Sequence, residues 1–357
     1  MNTLLARLGI EHPVILAPMG GGPGTPELVA AVCNAGGLGS LGAAYLTPDQ
    51  ITDAVQKIRA LTDRPFNINL FTGGDQTGTP FDPAPMLAHL ADIHATLGLP
   101  APSVPPLSPD PFPAQLEVVL AAQPAVFSFT FGIPSADALA RVRARGIAVL
   151  GTATTVDEAR MLADAGVDGI VAQGAEAGAH RGTFAGPFEE AMVPTRELVR
   201  GIVNRVAVPV VASGGIMNGT EIAAAVALGA SAAQLGTAFL VSPESGAALA
   251  YKKAILDARG DTTVITRAFS GRPARGLENA FITGLTGKEA TVLPYPVQNA
   301  LTRPMRTAAA QRGDARFLSL WAGTGVARAR AMPAGELVHT LVAEMSAAPG
   351  HRAAASR

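Results

Sequence analysis

Short apolar runs alternate with amphipathic stretches over residues 14–240, and glycine or proline separates most of them. The apolar runs are too short for helices, and their alternation with helical patterns is typical of parallel βα units. We predict eight strands, at residues 14–19, 38–42, 66–71, 126–132, 147–154, 169–174, 209–216 and 232–240.

The helical patterns between these strands carry end signals. Several begin with Thr or Ser followed by an acid, which suits an N-cap with a favourable charge at the positive helix end. Most stop at a glycine that can adopt a left-handed C-cap, namely Gly36, Gly146, Gly166 and Gly229. Eight such units in succession favour a closed TIM (β/α)8 barrel.

The alternative architecture is an open, doubly wound sheet. Such a sheet normally has GxGxxG after its first strand and an acid about 20 residues further on. The glycines after Met19 instead lead to a helix that begins at Pro26, and no acid closes the second strand. We therefore predict the barrel.

Two regions interrupt the βα rhythm. Residues 72–124 form a Pro- and Gly-rich insertion after strand three, with predicted helices at 84–97 and 114–122. Residues 244–343 form a mainly helical C-terminal extension, which we expect to pack on the barrel of residues 1–243. Residues 344–357 are predicted to be a disordered tail.

Composition narrows the classes of partner. The 357 residues carry 27 basic and 28 acidic side chains, for a net charge of −1, so there is no strong field for nucleic acid or an anionic membrane. The one cysteine, Cys33, excludes an internal disulfide and fits a reducing compartment. Charged residues break the apolar N-terminal stretch, and no segment approaches the roughly 20 apolar residues that span a bilayer. We expect a cytoplasmic protein whose partners are small molecules.

Glycines end the last two predicted strands. Gly214 and Gly215 follow strand seven, just before a helix that begins near Asn218, and Gly236 and Thr237 end strand eight. In a TIM barrel, glycines at these positions let backbone N–H groups approach a phosphate. The alternative is that Gly214 and Gly215 only form a tight turn.

Asn69 and Gln173 lie at or near other strand ends, and each side chain offers amide donors and an acceptor. Such groups suit a flat heteroaromatic ring, as in a flavin. They could equally close hydrogen bonds in a polar layer of the barrel. The residue types alone leave both interpretations open.

His180 lies in AQGAEAGAHRGTF, directly after the sixth predicted strand. Small neighbours leave room for a planar ligand, and an imidazole at this face can act as a general base at neutral pH. The alternative is a surface histidine in a flexible loop. Glu176 and Arg181 either hold the loop as an ion pair or are solvated charges. The other histidines are scattered and Cys33 lies in an apolar helix stripe, so no metal site is predicted.

Several stretches together resemble the nitronate monooxygenases, formerly called 2-nitropropane dioxygenases. They include PMGGGPGTPELVAAVCNAGGLGSLGA, FNINLF, FTFGIP, GTATTVDEARMLADAGVDGIVAQGAEAGAHRGTF, VPVVASGGIM and AAQLGTAFL, while TRAFSGRPARG, YPVQNALTRP and LWAGTG match the class I group. The likeness runs in order from about His12 to Ala327. It implies a TIM barrel with bound FMN and no metal. It also implies oxidation of alkyl nitronates by O2 to a carbonyl compound and nitrite. The expected physiological substrate is the toxin propionate 3-nitronate.

The resemblance assigns roles by position. His180 becomes the catalytic base, and the implied FMN-binding residues are Met19, Gly20, Asn69, Gln173, Gly178, Gly215, Gln234, Leu235, Gly236 and Thr237. One position departs from the family pattern EAGGHRG, because Ala179 replaces the second glycine. Its methyl group could narrow the pocket or exclude a backbone conformation with positive φ.

Other functions stay open at this point. One is an FMN-dependent enoyl-acyl-carrier-protein reductase that consumes NAD(P)H, and another is a non-catalytic flavin- or phosphate-binding protein. The sequence also leaves open a monomer or a homodimer, the chain length of the nitronate, and whether neutral nitroalkanes are used.

Overall fold

The computed structural model describes residues 3–73, 80–106 and 109–349, and eight parallel strands lie at its centre. Eleven strands are present in these ranges: β1 (Val14–Leu16), β2 (Gly39–Gly42), β3 (Phe66–Phe71), β4 (Val126–Thr130), β5 (Ala148–Ala153), β6 (Gly169–Gln173), β7 (Ala179–His180), β8 (Val210–Ser213), β9 (Ala232–Leu235), β10 (Thr263–Thr266) and β11 (Ala274–Leu277). The barrel strands pair in the order β1-β9-β8-β6-β5-β4-β3-β2. A parallel bridge between Ile15 and Leu38 joins the two ends, so the sheet closes into the predicted TIM barrel.

All eight predicted barrel strands are confirmed, and β3 matches its predicted range. The eighth strand is shorter than predicted, because β9 ends at Leu235 and a 3-10 helix, Thr237–Phe239, follows Gly236. The strands are buried along nearly their whole length, as parallel strands under a helix layer must be.

The described residues form thirteen α-helices: α1 (Thr3–Leu8), α2 (Pro26–Asn34), α3 (Pro48–Leu61), α4 (Ala84–Thr96), α5 (Phe112–Ala122), α6 (Ala136–Arg143), α7 (Val156–Asp164), α8 (Thr195–Val203), α9 (Gly219–Ala227), α10 (Leu249–Asp257), α11 (Ala280–Thr283), α12 (Val297–Arg312) and α13 (Ala334–Ala347). The expected N-caps are present; for example, Thr25 and Asn218 each accept a backbone hydrogen bond from the first turn of their helix. The glycines predicted to end helices have positive φ.

The boundary of the insertion needs a correction. Helix α5 packs against α3 and β3, so it is the barrel helix of the third βα unit. The insertion therefore ends at residue 111, and the predicted range of 72–124 included one element of the barrel. The reason is that proline-rich sequence continues up to the first turn of α5 and hides the point where the repeat resumes.

The boundary of the extension also needs a correction. Helix α13 packs against α9 and α2, and its apolar side chains belong to the barrel core. It is thus the barrel's eighth helix, separated from β9 by the excursion of residues 236–333. It ends at Ala347 with Met345 buried, so residues 344–347 are not part of a disordered tail. Residues 350–357 lie outside the described ranges.

The extension has its own core and shares it with the insertion. Met86 and Leu90 of α4 pack with Phe269, Phe281 and Met305 of the extension. The extension is not purely helical, because β10 and β11 form an antiparallel pair. β11 also pairs with β7, which joins the extension to the loop that follows β6.

Candidate active site

A cavity of about 690 Å³ lies at the C-terminal ends of the barrel strands, the face that carries the active site in TIM barrels. Its volume is within the range of ligand pockets. His180 and all ten residues expected to bind a cofactor line it: Met19, Gly20, Asn69, Gln173, Gly178, Gly215, Gln234, Leu235, Gly236 and Thr237.

The imidazole of His180 is surrounded by groups from distant parts of the chain. Its Nε2 atom lies 2.8 Å from Oγ of Ser270. The ring centroids of Trp321, Phe131 and Tyr295 lie 5.6, 6.0 and 6.5 Å from that of His180. The histidine is therefore part of a packed aromatic site and not a surface residue.

The charge state of His180 follows from this environment. Burial, and then the positive charges of Arg272 and Arg306, lower its pKa from 6.5 to about 3. The cationic form is disfavoured by both effects. The imidazole is therefore neutral at physiological pH and has a nitrogen lone pair available to accept a proton.

Gln173 clamps the loop that carries His180. Its Nε2 donates to the backbone oxygen of His180 at 3.0 Å, and its Oε1 accepts from the backbone N–H of Gly182 at 2.8 Å. One N–H of the amide is left over. The side chain thus forms protein hydrogen bonds, as one interpretation expected, and still lines the cavity.

Asn69, like Gln173, both forms hydrogen bonds within the protein and lines the cavity. Its Nδ2 donates to Oγ of Ser128 at 2.9 Å, and Ser128 also accepts from Nδ2 of Asn67 at 2.8 Å. These bonds form a buried polar layer within the barrel. Asn69 also lines the cavity, so the layer and the ligand face share this side chain.

Arg181 and Glu176 do not behave as a solvated pair. Arg181 is 1% exposed, and its guanidinium donates to the carbonyl oxygens of Gly174 and Gln173 at 2.6 and 2.9 Å. Glu176 accepts from the backbone N–H and the hydroxyl of Thr195 at 2.8 and 2.6 Å. Both expectations for these charges were wrong, because backbone carbonyl oxygens bind Arg181 and the first residue of α8, Thr195, binds Glu176.

The sequence analysis did not identify Glu158, a fully buried carboxylate beneath the same loop. One oxygen accepts from the backbone N–H groups of Phe184 and Ala185 at 2.6 and 2.9 Å. The other accepts from the backbone N–H and the hydroxyl of Thr154. Four donors compensate for burial of the charge, and they fix the loop just beyond His180.

The predicted phosphate site is formed by two adjacent strand ends, because Ser213 of β8 pairs with Gln234 of β9. Gly215, two residues beyond Ser213, has a φ of +71°, which favours glycine. Within the described ranges, the N–H groups of Gly215 and Gly236 have no hydrogen-bond acceptor. Such unpaired donors suit a phosphate group.

Ala179 adopts a backbone conformation with positive φ, so its methyl group does not exclude it as the sequence suggested it could. Its φ is +63°, and β7 pairs it with Arg275 of β11. The preceding Gly178 has no room for a side chain, because a Cβ there would lie 2.6 Å from backbone atoms of Ala322 and Gly323. The extension thus holds this part of the loop on one side.

Five residues near His180 escaped residue-by-residue prediction: Ser270, Arg272, Tyr295, Arg306 and Trp321. Four of them lie inside the stretches of the extension that matched the family, which was the only signal for them. Arg306 lines the cavity together with Arg303, whereas no described acidic residue does. The cavity therefore has a positive lining.

The described ranges contain neither a metal-binding cluster nor a membrane-spanning helix. No cluster of three or more His, Cys, Asp or Glu side chains in these ranges could hold a metal ion. In the same part of the chain, no helix has the length and apolar character required to cross a bilayer.

Comparisons with known proteins agree with the architecture. The family model described as nitronate monooxygenase matches residues 2–344. A probable nitronate monooxygenase of Staphylococcus aureus (strain Newman) is 40% identical over 346 residues, which cover 97% of each chain. The structure of nitroalkane oxidase from Streptomyces ansochromogenes is 42% identical, with a TM-score of 0.90 over 99% of each chain. FabK from Thermotoga maritima is 28% identical, with a TM-score of 0.76 over 97% of this chain and 96% of that one. The chain therefore belongs to the nitronate monooxygenase family of oxidoreductases.

Proposed function

We propose that the protein is an FMN-dependent enzyme that oxidises alkyl nitronates with O2 to a carbonyl compound and nitrite, with propionate 3-nitronate as its preferred substrate. Family membership and the 42% identity to a nitroalkane oxidase support the reaction class. The positively lined cavity at the catalytic face carries the proposal that the substrate is an anion. The physiological role that follows is detoxification.

The cavity has groups that fit FMN. The unpaired N–H groups of Gly215 and Gly236 would bind its phosphate, with Thr237 beside them. The Met19–Gly20 turn, Asn69 and the remaining N–H of Gln173 would contact the ring system. When bound, the flavin supplies the redox chemistry, because it can accept electrons from a nitronate and pass them to O2.

Arg306 is the residue that favours a substrate with a second negative charge. Its Nη2 donates to the backbone oxygen and Oδ1 of Asn299 at 2.7 and 2.9 Å. Its buried Nε atom has no partner among the described residues, and no described carboxylate forms an ion pair with it. A buried guanidinium without an acid is costly unless an anionic ligand completes its contacts. The carboxylate of propionate 3-nitronate has the required chemistry.

His180 would serve the uncharged form of a substrate. A neutral nitroalkane must lose its α-proton before it can react as a nitronate, and a neutral imidazole in the cavity can accept that proton. The negative charge then moves to the nitro oxygens, where Arg303, a second cationic residue of the cavity, provides a favourable field.

Oxygen consumption by the flavin-loaded protein tests the proposal. We expect turnover of propionate 3-nitronate without NADPH, and a lower kcat/KM for the uncharged-tail analogue propyl-1-nitronate. Arg306→Met should reduce kcat/KM for propionate 3-nitronate by about 10- to 100-fold, the equivalent of a charge-assisted hydrogen bond. It should leave propyl-1-nitronate nearly unaffected, which excludes misfolding as the cause. Arg312→Met, outside the cavity, is the matched control.

The alternatives predict different results in the same experiment. Rapid anaerobic bleaching of the flavin by NADPH would favour the enoyl-acyl-carrier-protein reductase. A yellow protein that consumes no oxygen with any nitronate would favour a non-catalytic flavin-binding protein. Equal losses on both nitronates in Arg306→Met would contradict the carboxylate contact.

A further inference from the structure

The hydroxyl of Ser270 has three neighbours with which it can form hydrogen bonds. Its Oγ lies 2.8 Å from Nε2 of His180 and 3.2 Å from both the backbone nitrogen and the backbone oxygen of Arg272. The serine is 1% exposed, so these protein groups, and not bulk solvent, decide where its proton lies.

The number of protons allows two arrangements. A serine hydroxyl donates one hydrogen bond and accepts two. If Ser270 donates to the oxygen of Arg272, its oxygen can accept both from the N–H of Arg272 and from a protonated Nε2 of His180, and all three contacts are hydrogen bonds. If Ser270 instead donates to Nε2, its contact with the backbone oxygen of Arg272 is no longer a hydrogen bond. The first arrangement makes hydrogen bonds of all three contacts and is therefore favoured.

The other ring nitrogen is in a different situation. No described residue lies within hydrogen-bonding distance of Nδ1 of His180, and the ring lines the cavity. We propose that Ser270 is a positioning residue that holds His180 in the neutral tautomer with its proton on Nε2, so that Nδ1 is the atom that accepts the proton of the substrate. The acceptance of the substrate proton by Nδ1 rests on the proposed function, whereas the assignment of the tautomer does not.

Deprotonation of a neutral nitroalkane by His180 transfers one proton from carbon to nitrogen. The bond between the α-carbon and its hydrogen breaks, and the proton moves to Nδ1. The electron pair of that bond moves into the nitro group, which gives a nitronate anion and an imidazolium. Nε2–H stays bonded to Ser270 throughout, so the ring does not need to turn during the step. A preformed nitronate skips this step entirely.

This difference between substrates provides the kinetic test. Ser270→Ala should lower kcat/KM for neutral nitroethane about tenfold, the equivalent of about 1.4 kcal/mol, and leave kcat/KM for ethylnitronate little changed. Ser270→Thr, which restores the hydroxyl, should recover the activity on nitroethane. Ser242→Ala is the matched control, since Ser242 is fully buried and its Oγ has no partner in the described ranges. Equal losses on both substrates in Ser270→Ala would overturn the positioning role.

Nuclear magnetic resonance of protein labelled with ¹⁵N-histidine tests the tautomer without any turnover. His180→Asn identifies the signals of His180 among the six histidines. We expect a protonated Nε2 and an unprotonated Nδ1 in the wild type, and a mixture of tautomers in Ser270→Ala. A proton on Nδ1 in the wild type would overturn the inference whatever the substrate. If the tautomer is as stated but no nitro compound is turned over, only the proposed function fails.

Discussion

Replacement of Gln173 by methionine tests whether this side chain holds the loop that carries His180. Methionine is similar in length but has no amide, so Gln173→Met removes the bonds to the backbone oxygen of His180 and the backbone N–H of Gly182. Each uncharged hydrogen bond contributes about 0.5–1.5 kcal/mol. We therefore expect the free energy of unfolding to fall by about 1–3 kcal/mol. The pairing of β7 with β11 remains, so the loop should loosen without unfolding.

Hydrogen exchange of the flavin-loaded protein, read by mass spectrometry on peptides that cover residues 178–186, is the direct assay. Gly182 should exchange faster in Gln173→Met because its acceptor is gone. Gln311→Met is the matched control, since Gln311 lines the same cavity, is not among the expected cofactor contacts, and its side chain has no hydrogen bond in the described part of the chain. Unchanged exchange at Gly182, or the same increase in both variants, would show that the Gln173 side chain does not hold the loop.

Three further predictions concern the same loop. Ala179→Gly should raise the free energy of unfolding by about 0.5–1 kcal/mol in a urea titration, because relief of the left-handed backbone exceeds the added chain entropy; a decrease would contradict the strain. Glu158→Gln should lower it by about 2–4 kcal/mol, since one amide nitrogen would face backbone donors, whereas exposed Glu190→Gln should be neutral. Between about pH 6.5 and 3, His180 is protonated in the unfolded chain but neutral in the folded chain. The free energy of unfolding therefore falls as the pH falls through this window. His180→Asn should reduce the loss of unfolding free energy between pH 7 and 5 by about 1–2 kcal/mol, and an identical pH dependence in both proteins would contradict the low pKa.

The barrel could be predicted from the sequence because each of its elements is encoded locally. The strands are short apolar runs, and the helices begin at side chains such as Thr25 and end at glycines such as Gly36. Prediction from local sequence signals was wrong where other structure interrupts the βα repeat. Helix α13 completes the ring of helices only after about a hundred residues of other structure, and nothing in its own sequence identifies it as the eighth barrel helix.

The residues around His180 were harder to predict from the sequence for a related reason. Ser270 is 90 residues away in the sequence, and Trp321 is farther still. Tertiary packing, including the pairing of β7 with β11, brings them to the ring, and the periodicity of the segments does not encode that contact. The roles of Gln173 and Arg181 were misjudged or left open because their partners are backbone atoms of one irregular loop.

Strain beside His180 explains why the extension is part of the site. Phe131 and Ala179 have φ values of +78° and +63°, a conformation that costs a residue with a side chain about 1–2 kcal/mol. Such strain persists only where neighbouring structure fixes it. Both neighbours come from one segment, residues 270–275: Arg272 stacks 3.8 Å from the ring centroid of Phe131, and Arg275 pairs with Ala179. The same segment supplies Ser270 to the imidazole. The barrel thus provides the histidine and most of the cavity lining, while a segment outside it contacts the imidazole ring. Substitutions in residues 270–275 can therefore change which substrates are deprotonated without altering the barrel.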